Sequence, residues 1–204
     1  ANLAMNCHAY AKALHYKEQE FRRNQLEKVT PSDELIEKII SINYKLQLHE
    51  SAQGLLKFAQ ETPGIVVGVA WYEKLRRWST ALESYEKQQL LHPNNLEFTL
   101  GRMRCMHDLG NWEQLSALCA ETWRTHSSGP KKQEIAALAL SASLNLLRWD
   151  TMDAYIEGLN EHSLEGAFYN ALISVQKERF SRAREYVSHA RGLAAAELTA
   201  LVSE

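Results

Sequence analysis

The sequence predicts an all-α fold, a solenoid of antiparallel helix hairpins in about five to six degenerate repeats. Three observations carry this. Apolar residues return at three- and four-residue intervals along nearly the whole chain, and no window of more than a few residues alternates with the period of two that a half-buried strand requires. Breaker clusters fall at intervals that suit helical hairpins. A bulky side chain, usually aromatic, recurs at the breaks between paired helical segments.

Taken in order, the first helical stretch runs up to "TPSDE" at 30–34, where Thr30 can serve as N-cap, Pro31 as first helical residue and an acid as first-turn charge. Leu35, Ile36, Ile39, Ile40, Ile42 and Leu46 then make one apolar face. Further breaks stand at "TPGIVVG" (62–68), "HPNN" (92–95), "SSGPKK" (127–132) and "NEHSLEG" (160–166). Between them lie the corner residues His49, Trp78, Trp112, Trp149 and Phe180, separated by 29, 34, 37 and 31 residues. Those separations scatter around the ~34 of tetratricopeptide repeats.

Three residues after each corner stand Ala52, Ala81, Leu115, Met152 and Ala183, and seven after stand Leu56, Tyr85, Cys119, Ile156 and Val187. That is the i, i+3, i+7 stripe of a helix starting at the corner. Three residues upstream come Leu46, Leu75, Leu109 and Leu146, with Lys177 departing from the rule. Charges around the corners vary while the rings persist. The structural anchors expected from this pattern are therefore Trp78, Trp112, Trp149, Phe180, Trp71, Leu75, Leu109 and Leu146, acting as packing groups buried at the corners rather than as ligand contacts.

Composition excludes several function classes. The chain has 204 residues, 45% of them hydrophobic and 24% charged, which is enough apolar material for a core. With 23 basic and 25 acidic residues the net charge is -2, giving no footprint for nucleic acid or anionic lipid. The pairs Arg76–Arg77 and Lys131–Lys132 have acidic neighbours and read as solvated faces. Cys7, Cys105 and Cys119 are an odd number without CxxC spacing, which predicts reduced thiols in the cytosol or nucleus. The run "IAALALSASLNLL" falls short of the ~20 residues of a membrane span. The start at Ala1 and the uncapped helical ending "ELTALVSE" lead us to expect a single helical-repeat segment, residues 1–204, excised from a much longer chain.

No catalytic or cofactor pattern is found. The eight histidines form no HxxxH or HExxH pair; His8 and His15 beside Cys7 would still lack two zinc ligands. Cys105 and His107 fall on different helix faces. "PGIVVG" lacks the Lys and Ser or Thr of a phosphate loop, no nucleophile elbow or kinase signature is present, and Glu83 and Glu86 read as exposed flanks. Catalytic, cofactor and metal residues are therefore expected to be none. Trp71, Leu75 and Trp78 share a face that is either a core seam or a groove for a partner helix, the seam being preferred. Arg179, Arg182, Arg184 and Arg191 read as a solvated face, with docking of an acidic partner as the other reading.

Six stretches carry a closer likeness: "AYAKALHYKEQEF" (9–21), "IISINYKLQLHESAQGLL" (39–56), "WYEKLRRWSTALESYEK" (71–87), "LGRMRCMHDLGNWEQL" (100–115), "WDTMDAYI" (149–156) and "EGAFYNALISV" with "AELTALVSE". In this order and spacing the chain resembles the FAT region of the target-of-rapamycin (TOR) kinases, within the phosphatidylinositol-3-kinase-related kinases. The connections "FRRNQLEKVTPSDE", "CAETWRTHSSGPKKQE" and "TPGIVVGVA" depart from the pattern. The resemblance implies a tetratricopeptide-like solenoid that wraps and restrains a C-terminal kinase domain. It implies a parent serine/threonine kinase that controls growth in response to nutrients, uses ATP and magnesium outside this segment, and resides in the cytoplasm, with endomembrane or nuclear association. The partners it implies are the parent's own kinase domain, a HEAT-repeat region, HEAT-rich adaptors and a WD40-propeller subunit, in a dimeric assembly. A free-standing adaptor that binds a peptide or helix of another protein is the alternative; a related DNA-damage kinase and an isolated enzyme fit less well.

Overall fold

The computed structural model describes residues 9–27, 29–65, 67–125 and 129–202, without the side chains at 197 and 200–202. The described residues contain helices and connections and no strand. Two compact units divide the chain, Ala1–Leu91 and His92–Glu204.

In the first unit, α1 (Tyr10–Leu26) packs on α2 (Asp33–Lys45), which pairs with α3 (His49–Glu61); α4 (Val69–Lys74) pairs with α5 (Trp78–Leu91) and touches α2. The sequence explains where α2 starts. Ser32, with extended backbone, accepts the Leu35 N–H on Oγ at 3.3 Å, and Asp33 and Glu34 put negative charge at the positive end of the helix. The cap is thus Ser32 and not Thr30. Starting two residues later places both acids in the first turn, while Pro31 is buried ahead of the helix. Ile36, Ile40, Ala52, Leu56, Ala59 and Trp71 form one core cluster, and Ala13, Leu14, Leu35, Ile39 and Ile42 form another beneath α1. The six apolar positions expected to share one face, from Leu35 to Leu46 at the end of α2, are therefore divided between two neighbours, α1 on one side and α3 with α4 on the other.

The second unit is three hairpins: α6 (Leu96–Leu109) with α7 (Trp112–Thr125), α8 (Pro130–Asn145) with α9 (Trp149–Ile156), and α10 (Leu164–Gln176) with α11 (Phe180–Val202). Successive hairpins touch through α6 and α8, α7 and α8, and α9 and α10. Each contact joins elements close in sequence, the pattern of an α-solenoid. Pro130 opens α8 at its first position, where a missing N–H costs nothing. Buried Ala136, Ala139, Ala142 and Ser143 keep α8 slim enough for neighbours on several sides. Together the two units hold five hairpins and α1 among the described residues. The breaks expected at 62–68, 92–95, 127–132 and 160–166 all lie at or between helix ends, where they are described.

Candidate functional site

The most regular feature of the molecule is the corner inside each hairpin. All five are built the same way. At the first, Leu48 N–H donates to the Asn43 carbonyl at 2.8 Å and Gln47 N–H to the Tyr44 carbonyl at 3.0 Å. The same pair of bonds recurs from Arg77 to Tyr72 and Arg76 to Glu73, from Asn111 to Met106 and Gly110 to His107, from Arg148 to Ser143 and Leu147 to Leu144, and from Arg179 to Ser174 and Glu178 to Val175. This is the Schellman ending, which satisfies orphan carbonyls of the last turn and requires a left-handed residue. That residue is Gln47 (φ 60°), Arg76 (55°), Gly110 (74°), Leu147 (56°) and Glu178 (57°). It stands two places before the corner side chain every time, so the next helix opens on His49, Trp78, Trp112, Trp149 or Phe180.

Opening the helix there aims the stripe inward. Ala52, Leu56, Ala81, Leu115, Cys119 and Met152 are at most 1% exposed, and Tyr85 and Ala183 are buried. Ile156 is half-buried and Val187 is 39% exposed on the last hairpin. The corner side chains themselves differ from expectation. Trp78, Trp112 and Trp149 are half-buried, as are Leu75 and Leu146, while Leu109 is 37% and Phe180 58% exposed. The reason is geometric: the first residue of a helix stands at the rim of a hairpin, and the positions one and two turns on occupy its middle. Trp71, inside α4, is 2% exposed in the first unit's core, so the face it shares with Leu75 is a seam and not an open groove.

A further tryptophan, which the corner spacing does not pick out, joins two hairpins of the second unit. Trp123, near the end of α7, meets Tyr155 of α9 edge-on at 5.3 Å, and Lys132 of α8 lies 4.4 Å from its ring centroid. A Cβ at Gly158 would stand 2.4 Å from the Trp123 ring and 3.0 Å from the Ala136 methyl. Gly158 is therefore the gap into which the indole fits. Gly166, in the first turn of α10, donates its N–H to the Ser163 cap at 3.0 Å, and a Cβ there would meet the Asn160 carbonyl oxygen at 2.1 Å. Both glycines are required by close approach.

First helices of neighbouring hairpins are tied by ions. Lys74 pairs with Glu37 at 2.7 Å in the first unit; Arg104 with Glu134 and Lys131 with Glu97, both at 2.6 Å, tie α6 to α8 in the second. The hydrogen bond from Lys131 holds the Glu97 carboxyl below its usual range. Such exposed pairs fix register more than they stabilise, ~0–1 kcal/mol each. Of the basic pairs read as solvated faces, Arg76, Arg77 and Lys131 are exposed, while Lys132 is half-buried against the Trp123 ring.

The described residues contain no group of three or more His, Cys, Asp or Glu arranged to hold a metal ion. Cys105 and Cys119 are buried free thiols; burial pushes the Cys119 thiol up to about 12, so it stays protonated and a poor nucleophile. Cys7 and His8 lie outside the described residues. Cys105 is buried and His107 half-buried, on different faces as expected. Glu83 and Glu86 are exposed. Among the described residues no helix is long and apolar enough to cross a membrane.

Residues 136–204 match the FAT domain family model. The chain is 40% identical over 223 residues to the serine/threonine-protein kinase TOR of Oryza sativa subsp. japonica, covering 99% of this chain and 9% of the relative. It is 39% identical over 201 residues to serine/threonine-protein kinase TOR2 of Saccharomyces cerevisiae, and 36% over 202 residues to serine/threonine-protein kinase mTor of Drosophila melanogaster, in both cases 98% of this chain and 8% of the relative. The chain thus spans less than a tenth of the length of these relatives.

Proposed function

This chain is a FAT-region member of the target-of-rapamycin serine/threonine-protein kinase family, and from that premise we propose that it is a non-catalytic helical scaffold that restrains a kinase domain carried elsewhere in the same polypeptide. The observation that carries the proposal is the repeated corner. Five hairpins with one turn geometry form stacks whose shape is set by packing, so a change at one seam is passed to its neighbours. A clamp made of such stacks is stiff, and loosening it would release what it holds.

On this reading ATP and magnesium chemistry lies outside the segment, and the parent kinase couples cell growth to nutrients in the cytoplasm. Its partners would be its own HEAT-repeat region, adaptor subunits and a WD40-propeller subunit, in a dimer. The half-buried corner rings contact neighbouring turns and carry no substrate.

The test uses the full-length kinase. Trp71→Ala opens a seam and Gly166→Ala strains the connection before α10, neither touching a phosphoryl-transfer residue, and both should raise basal activity towards a protein substrate. Hydrogen exchange that shows the helices loosened, together with an unchanged kinase rate, would rule out the clamp. Phosphoryl transfer by the 204-residue chain alone, given ATP and magnesium, would rule out the non-catalytic assignment.

A further inference from the structure

The first helices of the second unit's three hairpins, α6, α8 and α10, line with Ala190 of α11 an open cleft of about 540 Å³. This is the size of small-ligand sites, which run from about 300 to 1,000 Å³ and combine an apolar wall with a few placed polar groups. Both parts are here. Ala137 and Leu138 of α8 and Leu164 and Phe168 of α10 supply the apolar wall, with Phe168 49% exposed.

The polar edge is made by His107, Ser141 and Tyr169. His107 Nε2 lies 3.0 Å from Ser141 Oγ, and Tyr169 lines the cleft beside them. The Trp112 ring braces His107 edge-on at 5.3 Å. Among the described residues lining the cavity there is no lysine or arginine, and Glu165 is the one carboxylate. Glu165 is exposed at the rim, one turn from Phe168 and Tyr169 on the same helix.

From this complementarity we propose that the cavity binds a small organic cation with an aromatic body, an arylalkylamine. The ring lies against Leu138 and Phe168, and the ammonium sits between the Glu165 carboxylate and the aromatic faces beside it, where a cation over a ring gains electrostatically. An anion would face the Glu165 charge with no lysine or arginine among the lining residues. A neutral ligand of the same shape would leave that charge unused.

The experiment titrates 2-phenylethylamine, 2-phenylethanol and 3-phenylpropionate, one ring with three charges, into the 204-residue chain, followed by amide NMR shifts. The amine should saturate with a Kd on the order of 1 mM, as expected for so few heavy atoms. It should bind roughly three- to fivefold more tightly than the alcohol, the worth of one partly exposed ion pair, with the carboxylate weakest. Glu165→Gln should bring the amine to the level of the alcohol and leave the alcohol unchanged. Leu138→Trp and, independently, Ala190→Phe should abolish binding of all three while the melting temperature shows each variant folded. Equal binding of amine and alcohol, amine shifts that survive both filling substitutions, or self-association of the chain that either filling substitution removes would each overturn the proposal.

Discussion

Trp71 and Trp149 each belong to a short helix, Trp71 inside α4 and Trp149 at the start of α9, and they differ in surroundings. Trp71 packs against Ile36, Ile40 and Leu56 and is 2% exposed, whereas Trp149 is half-buried at a corner. Trp71→Ala should therefore cost ~3–5 kcal/mol by lost transfer energy and cavity formation. Trp149→Ala should cost about half that or less, in proportion to the apolar area it hides. Chemical denaturation of the two variants checks the order, and equal losses would contradict it. Cys119 gives a pH-dependent counterpart. Burial raises its folded pKa from 9.0 to about 12, so between those values the unfolded chain loses a proton that the folded chain keeps. Its contribution is intact below about pH 9 and is lost as pH rises towards 12. Cys119→Ala should flatten the fall in stability over that window, read from denaturation midpoints at pH 8 to 11.

At the scale of one helix and its connection, the left-handed residue dominates. A non-glycine side chain in that conformation costs roughly 1–2 kcal/mol, and four of the five corners accept it at Gln47, Arg76, Leu147 and Glu178. Leu147 is 70% exposed and loses little packing on removal. Leu147→Gly should accordingly raise stability by about 0.5–1 kcal/mol, and Gly110→Ala should lower it by about 1 kcal/mol. Thermal melts of the two variants should move in opposite directions. The connection before α10 makes a related point: Gly166→Ala drives a methyl into the Asn160 carbonyl, which is backbone, while Gly158→Ala meets the outer edge of the Trp123 ring, which can tilt. Gly166→Ala should be the more damaging in denaturant titrations. These residues also mark the limit of what the sequence discloses. The buried stripe at Ala52, Ala81, Leu115 and Met152 follows from helical period alone, so the hairpins could be placed without coordinates. The strained turn could not, because glycine, its usual signal, occupies one corner in five. Nor could the Trp123–Gly158 fit or the cavity beside His107, which depend on residues brought together from different helices. The half-exposure of the corner rings went unforeseen for the same reason: period assigns a face and is silent on distance from the rim.

For the molecule as a whole, the consequence of local packing is modularity. Nearly all helix contacts run between neighbours in sequence, and the chain separates into compact units at Leu91 and His92. Chains with nearest-neighbour contacts gain stability repeat by repeat, so a part that keeps its own interfaces keeps most of its order. The second unit holds its own buried set, from Leu100, Met103 and Leu115 through Ile135, Leu140 and Met152, and its own ion pairs, Arg104–Glu134 and Lys131–Glu97. Residues 92–204 made alone should then retain helical circular dichroism and a cooperative melt, at a midpoint near that of the 204-residue chain. Within that piece the two ion pairs should matter little singly: Glu134→Gln should shift the midpoint by no more than the few tenths to ~1 kcal/mol of an exposed pair, and less at high salt. A collapse of the isolated piece into a broad, non-cooperative transition would mean that its order depends on residues before His92, and that the units are a division of contacts without being a division of stability.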